Sequence, residues 1–145
     1  MASNYESFFT LGRFGVVGHT TAKPFPLISY RRLKAMGKIV YPIDPSTMLV
    51  DRDPAYPTLA SLPQPVDGLI IEVPKAETAG WVAAAADAGI GHVWIHMAHE
   101  TPEAVALAAE KGINLRTGTC AVMYLNPGMS YHGIHKLIMK LTGKY

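Results

Sequence analysis

The sequence predicts an α/β fold: a doubly wound, mainly parallel five-stranded sheet with helices on both faces. Three observations predict it. Short, nearly continuous β-branched runs alternate with helical segments, and proline and glycine stand where such helices begin and end. The chain has 145 residues, 49% hydrophobic and only 17% charged, which is enough for one domain with its own core. Average soluble domains carry about 25% charged residues. That balance excludes a disordered chain, and it leads us to expect apolar surface covered by a partner subunit or a ligand.

Each element has its own signal. Arg13-Phe14-Gly15-Val16-Val17-Gly18 is an apolar run ending in glycine, and it predicts the first strand. Pro24 and Pro26 open a helix carrying Leu27, Tyr30, Leu33 and Met36, which Gly37 ends. Lys38 to Ile43 is the second strand, stopped by Asp44-Pro45. The proline-rich stretch 46–66 reads as a connection, with one short helical turn near Thr58-Leu59-Ala60. Gly68 to Val73 is the third strand, and the alanine-rich segment Ala76 to Ala88 is a strong helix former closed by Gly89. Gly91 to His96 is the fourth strand. Thr101-Pro102-Glu103 caps a helix running to Lys111, with an N-cap threonine, proline in the first turn and an acid near the positive dipole end. Ile113 to Arg116 is the fifth strand. Ile134, Leu137, Ile138 and Leu141 repeat at helical spacing, predicting a C-terminal amphipathic helix at about 130–142. A helical turn is expected near Tyr5 to Leu11.

Charge and cysteine content narrow the function classes. The formal net charge is +2, and the densest basic cluster is Arg31-Arg32 with Lys34, so nucleic acid is not an expected partner. The N-terminus lacks the pattern of a secretory signal, and the apolar window from Trp81 to Ala98 is too short and too polar for a membrane span. A single cysteine, Cys120, forms no internal disulfide and reads as a buried thiol; a mixed disulfide with a thiol ligand is the sharper alternative. The expectation is a soluble, cytoplasmic protein, one domain over 1–145, for which a homodimer is an open assembly.

In open parallel sheets, ligands lie beyond the carboxyl ends of the strands, at the switch point. Those ends here are Gly18 to Lys23, Asp44-Pro45, Val73-Pro74 and Met97 to Glu100. Gly18 allows a tight turn and close backbone approach. The helix start beyond it offers free N–H groups, Thr20 and Thr21 add hydroxyls, and Lys23 adds a positive charge. Such a set suits a pyrophosphate. The G-x-G-x-x-G fingerprint, the P-loop and the G-x-S-x-G elbow are all absent from the sequence. His92, His96 and His99 have a spacing that would suit a metal on a helix, but they fall on a strand and its exit. His96 or His99 lining the ligand cleft is the better reading, and no metal site or catalytic residue is assigned. His132 and His135 read as polar surface.

Taken in order, these motifs resemble the small stand-alone coenzyme A-binding domain proteins, which are similar to the N-terminal domain of the succinyl-CoA synthetase α subunit. The resemblance covers roughly residues 12–121. Its carriers are Val16-Val17-Gly18 with the threonine-lysine-proline loop, Tyr41-Pro42-Ile43-Asp44-Pro45, Leu59 to Pro63 leading to Val66-Asp67, and Val73-Pro74. His92-Val93-Trp94-Ile95, the Ala109-Glu110-Lys111-Gly112 turn and Cys120 complete it. The resemblance implies a Rossmann-like fold that binds coenzyme A or an acyl-CoA without catalysis. Gly18, His19, Thr20, Thr21 and Lys23 would hold the pyrophosphate. Ile43, Asp44 and Pro45 would border the adenosine, and Val73 and Pro74 would lie along the pantetheine. The synthetase's phosphohistidine lies in a second domain and has no match here, so ligase activity is not expected.

Two departures keep alternatives open. The family commonly has Asn where this chain has Asp44, and Gln where it has His96. An aspartate ending the second strand is also where a nicotinamide enzyme places its ribose ligand. The alternatives are therefore a cofactor domain or oxidoreductase that binds NAD, and a regulatory subunit on a vestigial nucleotide-binding fold.

Overall fold

The side chains of the central strands alternate between two apolar layers, and that alternation sets the architecture. A computed structural model describes residues 8–21, 25–97 and 99–117. Its elements are β1 (Arg13–Gly18), α1 (Phe25–Ala35), β2 (Ile39–Ile43), β3 (Leu49–Val50), β4 (Asp53–Pro54), a 3-10 turn at Leu59–Ser61, β5 (Gly68–Glu72), α2 (Lys75–Asp87), β6 (His92–Ile95), α3 (Pro102–Glu110) and β7 (Asn114–Arg116). Val17, Leu69, Ile71, Val93 and Ile95 point to one face, where they pack with Val82 and Ala85 of α2 and Ala104 and Ala108 of α3. Phe14, Val16, Ile70 and Trp94 point to the other, against Leu33 of α1 and the aromatic pair Phe8 and Phe9. Such two-sided burial is what a parallel sheet requires.

The sheet has strand order β2-β1-β5-β6-β7, and every pair in it is parallel. From β1 the chain steps outward to β2, then crosses back to β5 on the other side. The switch point therefore lies between β1 and β5, with α1 leaving on one face and α2 on the other. This is the Rossmann-like, doubly wound five-stranded sheet expected from the sequence. The α3 cap is as expected too: the Thr101 side chain accepts from the Ala104 amide at 3.1 Å, and Pro102 follows it. α2 and α3 stop at Gly89 and Gly112, whose φ values of +74° and +71° favour glycine.

One element was not legible in the sequence. Within the proline-rich connection, β3 and β4 form an antiparallel hairpin whose turn residues Asp51 and Arg52 both have positive φ. A two-residue turn of that kind ordinarily advertises itself with glycine or asparagine, and here neither is present. Tertiary contacts hold it instead. Arg31 pairs with Asp51 at 3.0 Å, Lys34 donates to Asp53 at 2.6 Å, and the Tyr30 hydroxyl also donates to Asp53. Of the opening turn near residues 5–11, the part from Phe8 is described, and the Leu11 amide donates to the Phe8 carbonyl. The predicted C-terminal helix, Cys120, His132 and His135 lie outside the described residues. No described helix is long and apolar enough to cross a membrane.

Aromatic packing seals the second face. The Phe8 ring meets Trp94 edge-on at 5.4 Å, and the Arg116 guanidinium lies 5.0 Å from its centroid. Glycines in β1 let the layers close. A Cβ on Gly18 would stand 2.2 Å from Pro26 Cγ and 2.9 Å from the Glu72 carbonyl, whereas one on Gly15 would meet only the tips of Ile43 and Leu69, at 2.8 and 2.9 Å. Side-chain tips can swing aside, but a proline ring and a strand carbonyl cannot. Gly18→Ala is therefore expected to lower stability by about 1–3 kcal/mol or more, and by more than Gly15→Ala does. Urea unfolding of the two variants checks the order; equal losses would show that the Pro26 contact yields.

Candidate functional site

The loop after β1 is built on two tethers that pull adjacent residues to opposite sides of the switch point. Gly18 ends the strand against Pro26 and the Glu72 carbonyl, so its lack of a side chain already serves packing. His19 turns toward α2, where its Nε2 lies 2.9 and 3.0 Å from the two carboxylate oxygens of Glu77. Thr20 turns toward β2 instead. Its amide and its hydroxyl both donate to Asp44 Oδ2, at 2.8 and 2.6 Å. Thr21 is exposed. Lys23 lies outside the described residues.

Asp44 follows β2 and is 1% exposed. Its other oxygen, Oδ1, accepts from the Ser46 amide at 2.9 Å and from the Ser46 hydroxyl at 2.5 Å. Burial alone would raise this carboxyl, but the bonds from Ser46 and Thr20 together hold it below the ordinary carboxylate value. It is therefore an anion at neutral pH, with two donors on each oxygen. Ile43 beside it is fully buried and belongs to the core, while Pro45 is exposed at the rim.

Beyond β5, Val73 is buried and the exposed Pro74 precedes α2. His99 Nδ1 donates to the Val73 carbonyl at 2.6 Å, which places the proton of a neutral ring on Nδ1. The His99 carbonyl accepts from Thr78 at 2.9 Å, so the exit loop of β6 is pinned across α2. Under α1, at the ends of β5 and β6, His96 Nδ1 lies 3.6 Å from Glu72 Oε2, and both residues are buried. His96 and His99 meet edge to face at 5.0 Å. Burial pushes the Glu72 carboxyl up to about 7, with only the nearby Ser29 hydroxyl pulling the other way. Burial, helped by His99 and opposed by Glu100, brings His96 down to about 4. Both shifts favour a neutral pair over an ion pair. His92 stands at the far end of β6 beside Arg116, at 3.4 Å, and the described residues contain no group of three metal-ligating side chains.

A cleft that sequence reasoning missed opens beside this loop. It has a volume of about 450 Å³ and lies between Pro57-Thr58-Leu59 and one side of α2, with Glu77 at its rim and Gly80, Trp81 and Ala84 along its wall. Glu77, which lines the cleft, is the residue that His19 holds, so one side chain links cleft and loop. One signal was present in the sequence, since Trp81 is a lone aromatic among alanines. What faces it comes from more than twenty positions away and is decided only by the packing of the 3-10 turn.

The Glu72–His96 pair makes a pH prediction. Glu72 titrates near its ordinary value when unfolded and near 7 when folded. The stability it contributes is thus fully present below about pH 4.5 and is lost as pH rises through 7. His96 runs oppositely: its contribution is present above about pH 6.5 and is lost as pH falls toward 4. Between these limits the two slopes oppose each other. Glu72→Gln, which cannot ionise, is expected to gain on the wild type between pH 5 and pH 8 by on the order of 1–3 kcal/mol. Urea unfolding at both pH values measures this, and a gap independent of pH would mean that Glu72 does not titrate in that range.

No curated protein is similar to the chain in sequence. A protein of known structure from Pyrococcus horikoshii superposes with a TM-score of 0.75 at 21% identity, over 85% of this chain and 89% of that one. One from Thermus thermophilus gives 0.74 at 21% identity, over 85% and 96%. A dinucleotide-forming acetyl-coenzyme A synthetase from Candidatus Korarchaeum cryptofilum, in complex with phosphate and ADP, is similar over 78% of this chain but only 27% of its own length, with a TM-score of 0.65 at 23% identity. Likeness at such identities establishes the fold. The sequence itself goes further, because residues 14–126 match the family described as the CoA binding domain. The chain belongs to the CoA binding domain family.

Proposed function

We propose that the protein binds coenzyme A or an acyl-CoA at the switch point between β1 and β5, and that it does so without turning the ligand over. Family membership supports the ligand class. The observation that carries the placement is the His19–Glu77 contact, which ties the loop after β1 to a side chain lining the apolar cleft beside α2. In this reading the pyrophosphate lies against the loop from Gly18 to Lys23, with Thr21 and Lys23 as its side-chain donors. The adenine enters the cleft against Trp81 and Thr58, bordered by Asp44 and Pro45. The pantetheine then runs past Val73 and Pro74 toward the exit of β6.

Binding without turnover is supported by how the chemically able groups are employed. His19 is committed to Glu77, Thr20 to Asp44, and His99 to the Val73 carbonyl. The Glu72–His96 pair is buried under α1. Groups so engaged hold the loop after β1 and the exit of β6 in place.

Calorimetric titration with coenzyme A, dephospho-CoA and NAD tests the reading. Coenzyme A binding is expected, with NAD much weaker. Trp81→Ala is expected to weaken coenzyme A binding by about 1–3 kcal/mol, the scale of an aromatic ring stacked on a base. Lys23→Ala is expected to cost a similar amount through the loss of a charge-assisted bond. A preference for NAD would turn the reading toward a dinucleotide cofactor domain, and binding of none would remove it.

A further inference from the structure

We infer that Asp44 is a positioning residue: it fixes the loop after β1 for the ligand's phosphates and takes no part in reading a ribose. The inference rests on the proposed reading of the site as one for a coenzyme A-type nucleotide. It begins from acceptor capacity. An ionised carboxylate offers about four lone-pair sites, and all four are used here. Thr20 supplies two donors to Oδ2 and Ser46 supplies two to Oδ1, none farther than 2.9 Å.

A carboxylate that reads a ribose must offer open acceptor sites to the vicinal hydroxyls. Asp44 could do so only by releasing Thr20 or Ser46, and each release would give up charge-assisted bonds that solvate a carboxylate only 1% exposed. What the four bonds accomplish instead is local order. The Thr20 amide is turned inward to the end of β2, while the neighbouring His19 is held outward on α2 through Glu77. The loop is thereby stretched across the switch point before any ligand arrives, and a ligand does not have to spend binding energy on ordering it. Donor chemistry also explains why the residue is an acid. Thr20 and Ser46 both present N–H groups, and an asparagine would set its own NH2 against one of them.

A double-mutant cycle combined with amide exchange tests the inference. Asp44→Asn and Thr20→Val, each checked for folding by its melting curve, are titrated with coenzyme A singly and together. If Asp44 acts through the loop, each single variant weakens coenzyme A roughly tenfold, the scale of a lost bond to a charged group. The double variant then falls well short of the product of the two losses. In the ligand-free protein, the Thr20 amide exchanges slowly in the wild type and quickly in Asp44→Asn. Multiplicative losses, or an Asp44→Asn loss that persists in full on the Thr20→Val background, would make Asp44 a direct ligand contact and overturn the inference. Equal Thr20 exchange in wild type and Asp44→Asn would also overturn it. A wild type that binds no coenzyme A yet protects Thr20 would instead sink the reading of the ligand, and the two failures are separable because the exchange measurement uses no ligand.

Discussion

A parallel sheet buried on both faces must send its crossovers to both sides, and the rest of this structure depends on that requirement. Val17, Ile71 and Ile95 demand cover from α2 and α3, while Phe14, Ile70 and Trp94 demand it from α1 and the Phe8-Phe9 pair. The chain satisfies both by stepping from β1 to β2 and back to β5. A seam opens where the direction reverses. Gly18 lies on that seam, and the approach of Pro26 and the Glu72 carbonyl to its α-carbon shows how closely α1 and β5 are drawn together there.

Polar groups at such a seam must be satisfied, and the manner in which they are satisfied gives the site its character. On one side Asp44 collects four donors from Thr20 and Ser46. On the other, His19 and Glu77 bridge the loop to α2. Deeper in, Glu72 and His96 solve the same problem by neutralisation, since a buried carboxyl with few hydrogen bonds holds its proton. Two acids three residues or fewer from their strand ends are thus shifted in opposite directions, Glu72 up and Asp44 down. Solvation by donors decides the difference, because both are buried.

Around this loop the His19, Thr20 and His99 side chains are engaged by the protein's own carboxylates and backbone. The surface left for a ligand is largely apolar, formed by Pro57, Leu59, Trp81 and Ala84.

Local patterns in the sequence determined the strands, the helices and their caps, because apolar runs, Thr101-Pro102 and the stop glycines act within one or two turns of chain. They also determined which strand ends would meet, since a parallel, doubly wound sheet leaves little choice. Thr20 and Asp44 both stood out in the sequence as candidates at strand ends, but not that each would consume the other's hydrogen bonds. That pairing joins residues 24 positions apart and has no periodic signature. The β3–β4 hairpin is a second case: its turn, Asp51-Arg52, has neither glycine nor asparagine, and the hairpin is held by Arg31, Lys34 and Tyr30 on α1. The Trp81 cleft is a third. Tertiary structure decided these features because hydrogen-bond saturation and cleft shape depend on which distant groups come within about 3 Å, and pattern along a chain carries no information at that resolution.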